Sequence, residues 1–243
     1  MNVAAVARAR DSHLLLVPVL VILAAALLWF IHQKLHYATD YSLRSYTEYF
    51  WPRRAGLIFH LLGGSLAICT GLVQIWLGLT NRTGRLHRSL GKLYAAGVAI
   101  GSLGGFYLAL TIPGHLAYSA GLFMLAVAWV VTTGMALYSI GTRRLEQHRE
   151  WMLRSYTVTF AFVTYRLVAA ALRHWLHMTD GPDLDEVDNL MAWACWAVPL
   201  LLAEPLIQLR AMRRQSMRRP LLRHEDVLGR ESRLGALVDP DQR

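Results

Sequence analysis

The sequence has few charged residues for its length and little chain outside its apolar runs. Asp, Glu, Lys and Arg make up 17% of the 243 residues, whereas hydrophobic residues make up 55%. The mean hydropathy of +0.32 is too high for one or two soluble domains of this length. This scarcity of charge argues against a large soluble domain and indicates a membrane protein.

Cysteines and catalytic motifs are also scarce. The two cysteines, Cys69 and Cys195, lie in apolar stretches and lack the spacing of a metal or redox motif. The sequence contains no nucleotide-binding loop, no paired nucleophile and base, and no proteolytic metal motif. These absences argue against a hydrolase and against an ATP-driven pump.

The apolar residues form six runs of roughly 17 to 25 residues, the length that crosses a hydrocarbon core about 30 Å thick. The runs are residues 14–31, 55–79, 93–112, 116–140, 151–172 and 190–209. We therefore predict an all-α, polytopic membrane protein with about six transmembrane helices. Helices 2 to 5 are expected to form a central four-helix bundle, flanked by helices 1 and 6.

The six runs divide the chain into four predicted parts. Residues 1–54 hold a cytoplasmic N terminus, the first helix and an outer loop, and residues 55–172 hold the four-helix core. Residues 173–209 hold an acidic outer loop and the sixth helix. Residues 210–243 form a basic tail that we expect to be disordered, because it is charged and has no apolar pattern.

Basic residues are concentrated on one predicted side of the membrane. With the N terminus inside, nineteen of the 25 Lys and Arg residues fall on the cytoplasmic side. The positive-inside rule therefore predicts that both termini are cytoplasmic. Because these residues flank the spans and form no single patch, the net charge of +9 does not indicate a nucleic-acid partner. The expected partner of the tail is anionic membrane lipid.

Four histidines fall at two matched depths on the central helices. His60 and His115 lie towards the outer ends of the second and fourth predicted helices, and His87 and His148 at the inner ends of the third and fifth. A haem iron can take two axial imidazoles from facing helices of a bundle. The pattern therefore predicts one or two b-type haems, with His87 and His148 as ligands of an inner iron and His60 and His115 of an outer one.

Small residues near the histidines fit this hypothesis, since they would let a flat macrocycle lie against a helix. They are Gly56, Gly63, Gly64 and Gly71 on the second predicted helix and Gly91 on the third. Glycine-rich faces are equally common where membrane helices pack closely. The glycines alone therefore do not decide between a cofactor site and close helix packing.

Several arginines are candidate partners for an anionic ligand. At the inner site a haem propionate is predicted to pair with Arg88, Arg149 or Arg154. Arg166 lies within the fifth predicted helix, where an arginine costs about 2.5 to 3.5 kcal/mol. We therefore expect Arg166 to face the bundle interior near the level of His60 and to contact a propionate or another anion.

Other interpretations of these residues stay open. The histidines are also compatible with a structural role, or with a metal, quinone or proton site. Gln74, Arg166 and Glu204 would be the polar interior of a cofactor-free transporter or small-molecule-binding protein. A scaffold or assembly subunit is a third class, in which these residues matter only through stability.

Two short motifs resemble a known family. They are Arg85-Leu86-His87-Arg88-x-x-Gly91-x-x-Tyr94 and His148-Arg149-x-Trp151-Met152-x-Arg154-Ser155-Tyr156, followed by Arg166. Over residues 55–209 the chain resembles the bacterial multi-pass membrane proteins catalogued as domain of unknown function 2306. The resemblance implies a location in the bacterial inner membrane and no established activity.

In the layout of its histidine-bearing helices the chain is also similar to the cytochrome b(561) and ferric reductase-like groups, which hold two haems between helices. That similarity implies a membrane oxidoreductase that transfers electrons without covalent catalysis. The similarity also implies a quinone or a redox protein as the partner in electron transfer. The protein could also form an oligomer.

Overall fold

The structure, a computed structural model, describes residues 21, 24, 25, 28, 29, 31, 32, 34–80, 82–113, 116–175 and 182–238. The side chains of residues 38, 79, 182–184, 214, 215 and 217–238 are not described. The predicted first membrane helix, residues 14–31, lies mostly outside this part of the chain, and its described positions are helical.

All regular secondary structure in the described residues is helical, which confirms the all-α prediction. Two short helices, α1 (His36–Thr39) and α2 (Leu43–Phe50), precede a 3-10 turn at Trp51–Arg53. Six longer helices follow: α3 (Arg54–Leu79), α4 (Arg85–Thr111), α5 (Leu116–Gly141), α6 (Leu145–Thr159), α7 (Ala161–Trp175) and α8 (Pro182–Val238).

Four helical stretches are long and apolar enough to cross a membrane. They are Leu43–Gly78, Arg85–Thr111, Leu116–Gly141 and Asp185–Arg213. The bent pair α6 and α7 is a fifth candidate when it is taken as one span. These five stretches correspond to the second to sixth predicted spans, so the described residues agree with a polytopic membrane protein.

Short connections make successive helices of the bundle antiparallel. The connections at residues 80–84 and 142–144 therefore lie at the same end of the bundle, where α4 and α6 begin. We call this the basic end, because it carries the arginines of both connections and of the helix starts. The predicted orientation puts the basic end on the cytoplasmic side.

The predicted fifth helix is two shorter helices that meet at an angle of 40°. The Thr159 hydroxyl, at the end of α6, donates to the carbonyl of Ser155 four residues earlier, at 2.8 Å. Back-bonding of this kind bends helices. Residues 151–172 contain no glycine or proline, so the usual sequence signals of a break are absent there.

The chain divides into two compact units, Met1–Leu200 and Leu201–Arg243. The second unit, where it is described, is the C-terminal part of α8. The predicted disordered tail from residue 210 is helical as far as Val238 in the structure. Arg and Leu are abundant in it and have good helix propensity, so its high charge alone does not predict disorder.

Helices α3 and α4 make the closest contact in the bundle, through glycine. A Cβ atom on Gly63 would overlap the backbone of Gly101, and one on Gly97 would lie 2.9 Å from the Gly63 carbonyl oxygen. A Cβ on Gly104 would lie 2.5 Å from the backbone nitrogen of His60. Small residues that let backbones touch are a common way for membrane helices to associate.

Gly63→Ala tests this contact, with Gly64→Ala as the matched control, since a Cβ on Gly64 meets nothing within 4 Å. Both variants gain the helix propensity of alanine, whereas only Gly63→Ala forces a methyl group into the α4 backbone. We expect Gly63→Ala to be less stable than Gly64→Ala by about 1 to 3 kcal/mol. Unfolding in detergent micelles, followed by circular dichroism, measures the difference, and equal stabilities would contradict the close packing.

Candidate functional site

His87 and His148 both lie at the basic end. His87 is in the first turn of α4 and His148 in the first turn of α6. Both residues are partly buried. Because α4 and α6 are not consecutive, it is the bundle fold that brings the two histidines to one end.

A hydrogen bond fixes the proton position of His148. Its Nδ1 lies 2.9 Å from the carbonyl oxygen of Ala136 in α5. A carbonyl oxygen can only accept, so Nδ1 carries the proton, and Nε2 of the neutral ring keeps its lone pair. Metal-bound histidines are commonly oriented by such a backbone carbonyl. His148 is therefore arranged as a ligand that would bind through Nε2.

The ring of His87 has an unsatisfied nitrogen. Its Nδ1 is buried and has no hydrogen-bond partner among the residues described. The His87 carbonyl oxygen, by contrast, accepts from the side-chain amide of Gln74 at 2.5 Å. An unsatisfied buried polar atom costs roughly 1 to 3 kcal/mol. Only a ligand bound at Nδ1 itself would remove that cost.

The described residues contain no group of three or more His, Cys, Asp and Glu side chains that could hold a metal ion. A site built wholly from protein ligands usually needs four of them for zinc and six or more for calcium. A haem iron needs only one or two axial ligands from the protein, because the porphyrin supplies the other four nitrogens. Two imidazoles, the number that His87 and His148 supply, are as many protein ligands as a haem iron takes.

His60 lies apart from His87 and His148, nearer the end of the bundle opposite the basic end. Its Nδ1 donates to the Gly101 carbonyl oxygen at 2.9 Å, so it has the same proton arrangement as His148. The ring packs edge-on against Phe162, with centroids 5.0 Å apart. Its predicted partner, His115, lies outside the described residues. The outer histidine pair therefore stays a prediction.

At most of the glycines that were expected to make room for a macrocycle, the space is filled by atoms of a neighbouring helix. A Cβ on Gly56 would overlap the ring of Tyr107, and one on Gly71 would overlap the ring of Tyr156. Gly63 faces the α4 backbone, as described above. The expectation that these three glycines leave room for a cofactor is wrong, because protein atoms already occupy the space beside them.

Arg166 does not face the bundle interior, so that prediction is wrong. Its side chain is exposed, and its guanidinium carbon lies 5.8 Å from the centroid of the Tyr165 ring. The buried residues of α7 are Ala161, Val163, Tyr165 and Ala169, of which Ala161, Tyr165 and Ala169, four apart, form one face. Arg166 follows Tyr165 by one residue and is therefore rotated out of that face.

The other polar residues singled out from the sequence have local partners. The guanidinium carbon of Arg154 lies 4.8 Å from the centroid of the Trp151 ring. Gln74 is 7% exposed and is bonded to the His87 carbonyl. Glu204, in the second unit, accepts from Gln208 one turn later at 2.7 Å. Gln74 and Glu204 thus have hydrogen-bonding roles within the fold.

A buried hydrogen-bonded network that sequence reasoning misses joins α4, α5 and α6. The Tyr94 hydroxyl lies 2.6 Å from Ser155 Oγ and 2.8 Å from Thr159 Oγ1. Thr133 Oγ1 lies 2.7 Å from Ser155 Oγ, and the Trp129 indole donates to Thr159 at 2.8 Å. All five side chains are 7% exposed or less. Tyr94 and Ser155 each belong to one of the two family motifs quoted above. That membership is the one feature of the sequence that could have pointed to this network.

The donor and the acceptor can be assigned for each hydrogen bond of the network. The Thr159 hydroxyl donates its proton to the Ser155 carbonyl oxygen, so the Tyr94 hydroxyl must donate to Thr159 Oγ1. Ser155 then donates to Tyr94, and Thr133 donates to Ser155. Every hydroxyl proton is used once, which is typical of a network that specifies one packing arrangement.

The network and the histidine pair share helix faces. Tyr94 follows His87 by seven residues on α4, and Ser155 follows His148 by seven on α6. Seven residues are two turns, so the hydroxyl network lies roughly 10 Å deeper in the bundle on the same faces. It fixes the relative positions of the two helices that carry the histidines.

Removing the Tyr94 hydroxyl should destabilise the protein. We expect Tyr94→Phe to lower the free energy of unfolding by about 1 to 3 kcal/mol, because Ser155 loses its acceptor and Thr159 loses a donor in a buried place. Tyr138→Phe is the control, since Tyr138 is 61% exposed on α5. Unfolding in detergent compares the two variants, and an equal effect of both would contradict the network.

The fold and the sites together define a multi-pass, all-α membrane protein. A family model described as "Predicted membrane protein (DUF2306)" matches residues 57–207. The match covers more than half of the chain, and the protein belongs to this family. No curated protein matches the chain. No solved structure matches it either.

Proposed function

We propose that the protein is a b-type haem protein that transfers electrons within the membrane, with His87 and His148 as axial ligands of one haem near the basic end. The supporting observation is the pair itself. Two imidazoles from non-consecutive helices lie at that end, one oriented through Nδ1 and the other with a buried nitrogen that has no partner among the described residues. When bound, the haem iron supplies a reversible one-electron couple.

The surrounding residues would bind and orient the cofactor. The Ala136 carbonyl would hold the His148 ring so that Nε2 points away from α5. Arg88 and Arg149 directly follow the two histidines and are exposed, so their guanidinium groups are suited to pair with propionates, as is that of Arg154. The hydroxyl network would keep α4 and α6 at a fixed separation.

Three further parts of the proposal come from the sequence. His60 and His115 would hold a second haem at the other depth, so that electrons cross the membrane between two sites. From the charge distribution we infer that both termini are cytoplasmic, and from the resemblance of the motifs to bacterial membrane proteins that the membrane is the bacterial inner membrane. A quinone or a redox protein would be the electron donor or acceptor.

Visible spectra of protein purified from haem-replete cells test the proposal. We expect a Soret band and an α-band that sharpens on reduction, with a haem-to-chain ratio of about one for the inner site alone and about two if the outer site is also filled. His87→Ala and His148→Ala should each remove one haem per chain. His32→Ala, at an exposed histidine, should leave the ratio unchanged.

Free imidazole separates a lost ligand from a lost fold. His148→Gly leaves a space in which added imidazole can replace the missing ring, and the haem spectrum should return. A folded, colourless wild-type protein would contradict the proposal and favour a cofactor-free role. Full haem content in both His87→Ala and His148→Ala would likewise exclude this pair as the ligands.

A further inference from the structure

Two cations lie close to each other between the middle of the bundle and the end opposite the basic end. Ile31, in the helical segment before α1, packs against the pair formed by Ile68 of α3 and Val163 of α7. Lys34 follows Ile31 by three residues, and Arg166 follows Val163 by three. Residues three apart share a helix face, so both cations lie one turn beyond the same contact. Burial and the charge of Arg166 lower the pKa of Lys34, which agrees with this proximity.

Neither cation pairs with a carboxylate among the residues described. Lys34 Nζ lies 5.6 Å from the centroid of the Tyr37 ring, and the guanidinium carbon of Arg166 lies 5.8 Å from that of Tyr165. Arg173, seven residues after Arg166 on α7, contrasts with them, because its guanidinium forms an ion pair with Asp188. Two adjacent cations repel each other unless an anion lies between them.

The surface beside the two cations is apolar and exposed. Leu167 and Val168, next to Arg166, are 49% and 39% exposed, and Leu28 and Trp29, one to two turns before Lys34, are 68% and 51% exposed. In a protein whose helices cross a membrane, such side chains face acyl chains, and a tryptophan prefers the interface. An anion that carries acyl chains therefore fits this place better than a soluble one.

We propose that Lys34 and Arg166 bind the phosphate group of an anionic phospholipid. A guanidinium can donate two parallel hydrogen bonds to phosphate oxygens, and an ammonium adds a compact charge. The acyl chains would cover Leu167 and Val168. Inorganic phosphate has the same oxygen atoms and lacks these chains. The lipid site is independent of the haem proposal, since it includes neither His87 nor His148 and lies away from the basic end.

Native mass spectrometry of the detergent-purified full chain tests the site with phosphatidylglycerol as the probe and phosphatidylcholine as the neutral comparison. A basic residue near an anionic surface contributes roughly fivefold in binding. We therefore expect Lys34→Gln and Arg166→Gln each to weaken phosphatidylglycerol binding about fivefold, and the double variant about 25-fold. Arg44→Gln, at an exposed arginine on the same predicted side of the membrane, should bind like the wild type.

Four results would overturn the inference. The first is equal phosphatidylglycerol binding by the wild type and a folded double variant, with folding checked by circular dichroism. The second is binding of phosphatidylcholine as tight as that of phosphatidylglycerol. The third is displacement of the lipid by millimolar inorganic phosphate, which would identify a soluble anion as the ligand. The fourth is loss of haem absorption in Arg166→Gln, which would identify a cofactor carboxylate instead.

Discussion

The contact between α3 and α4 is the constraint on which the rest of the bundle depends. Gly63 and Gly101 let the two backbones touch, and no larger residue fits between them. Because the helices lie so close, His60 reaches the Gly101 carbonyl and Gln74 reaches the His87 carbonyl. One apolar contact thus sets the positions of two of the four histidines, although it involves no histidine itself.

Polar groups inside an apolar bundle need hydrogen-bond partners from neighbouring residues. A buried polar atom that has no such partner is a candidate position for a bound ligand. The hydroxyl network between α4, α5 and α6 uses every one of its protons, so it is complete without a ligand. Among the residues described, three buried side-chain polar atoms lack a partner, in His87, Ser102 and Arg173. Only that of His87 belongs to an imidazole, at the end of the bundle where α6 also begins with a histidine. The basic end therefore combines a rigid scaffold with one unsatisfied imidazole nitrogen, and the cations Lys34 and Arg166 lie further along the bundle.

Hydropathy predicts the spans well, because the length of an apolar run reflects the thickness of the membrane. It does not predict side-chain direction. Whether Gly63 admits a cofactor or a neighbouring helix depends on which helix faces it, and the exposure of Arg166 depends on which face of α7 packs into the bundle. The matched depths of His87 and His148 can be predicted from the sequence, because the depth of a residue in the membrane follows from its position along the helix. The orientation of the His148 ring cannot, because it depends on a carbonyl group of another helix.

Electron paramagnetic resonance of the oxidised, purified protein tests the central claim most directly, because the signal of a ferric haem reports both axial ligands. The account predicts a low-spin signal typical of two imidazole ligands, which His148→Ala converts to a high-spin signal or removes. A wild-type protein that is folded and gives no haem iron signal would contradict the account. So would a low-spin bis-imidazole signal that survives in both His87→Ala and His148→Ala.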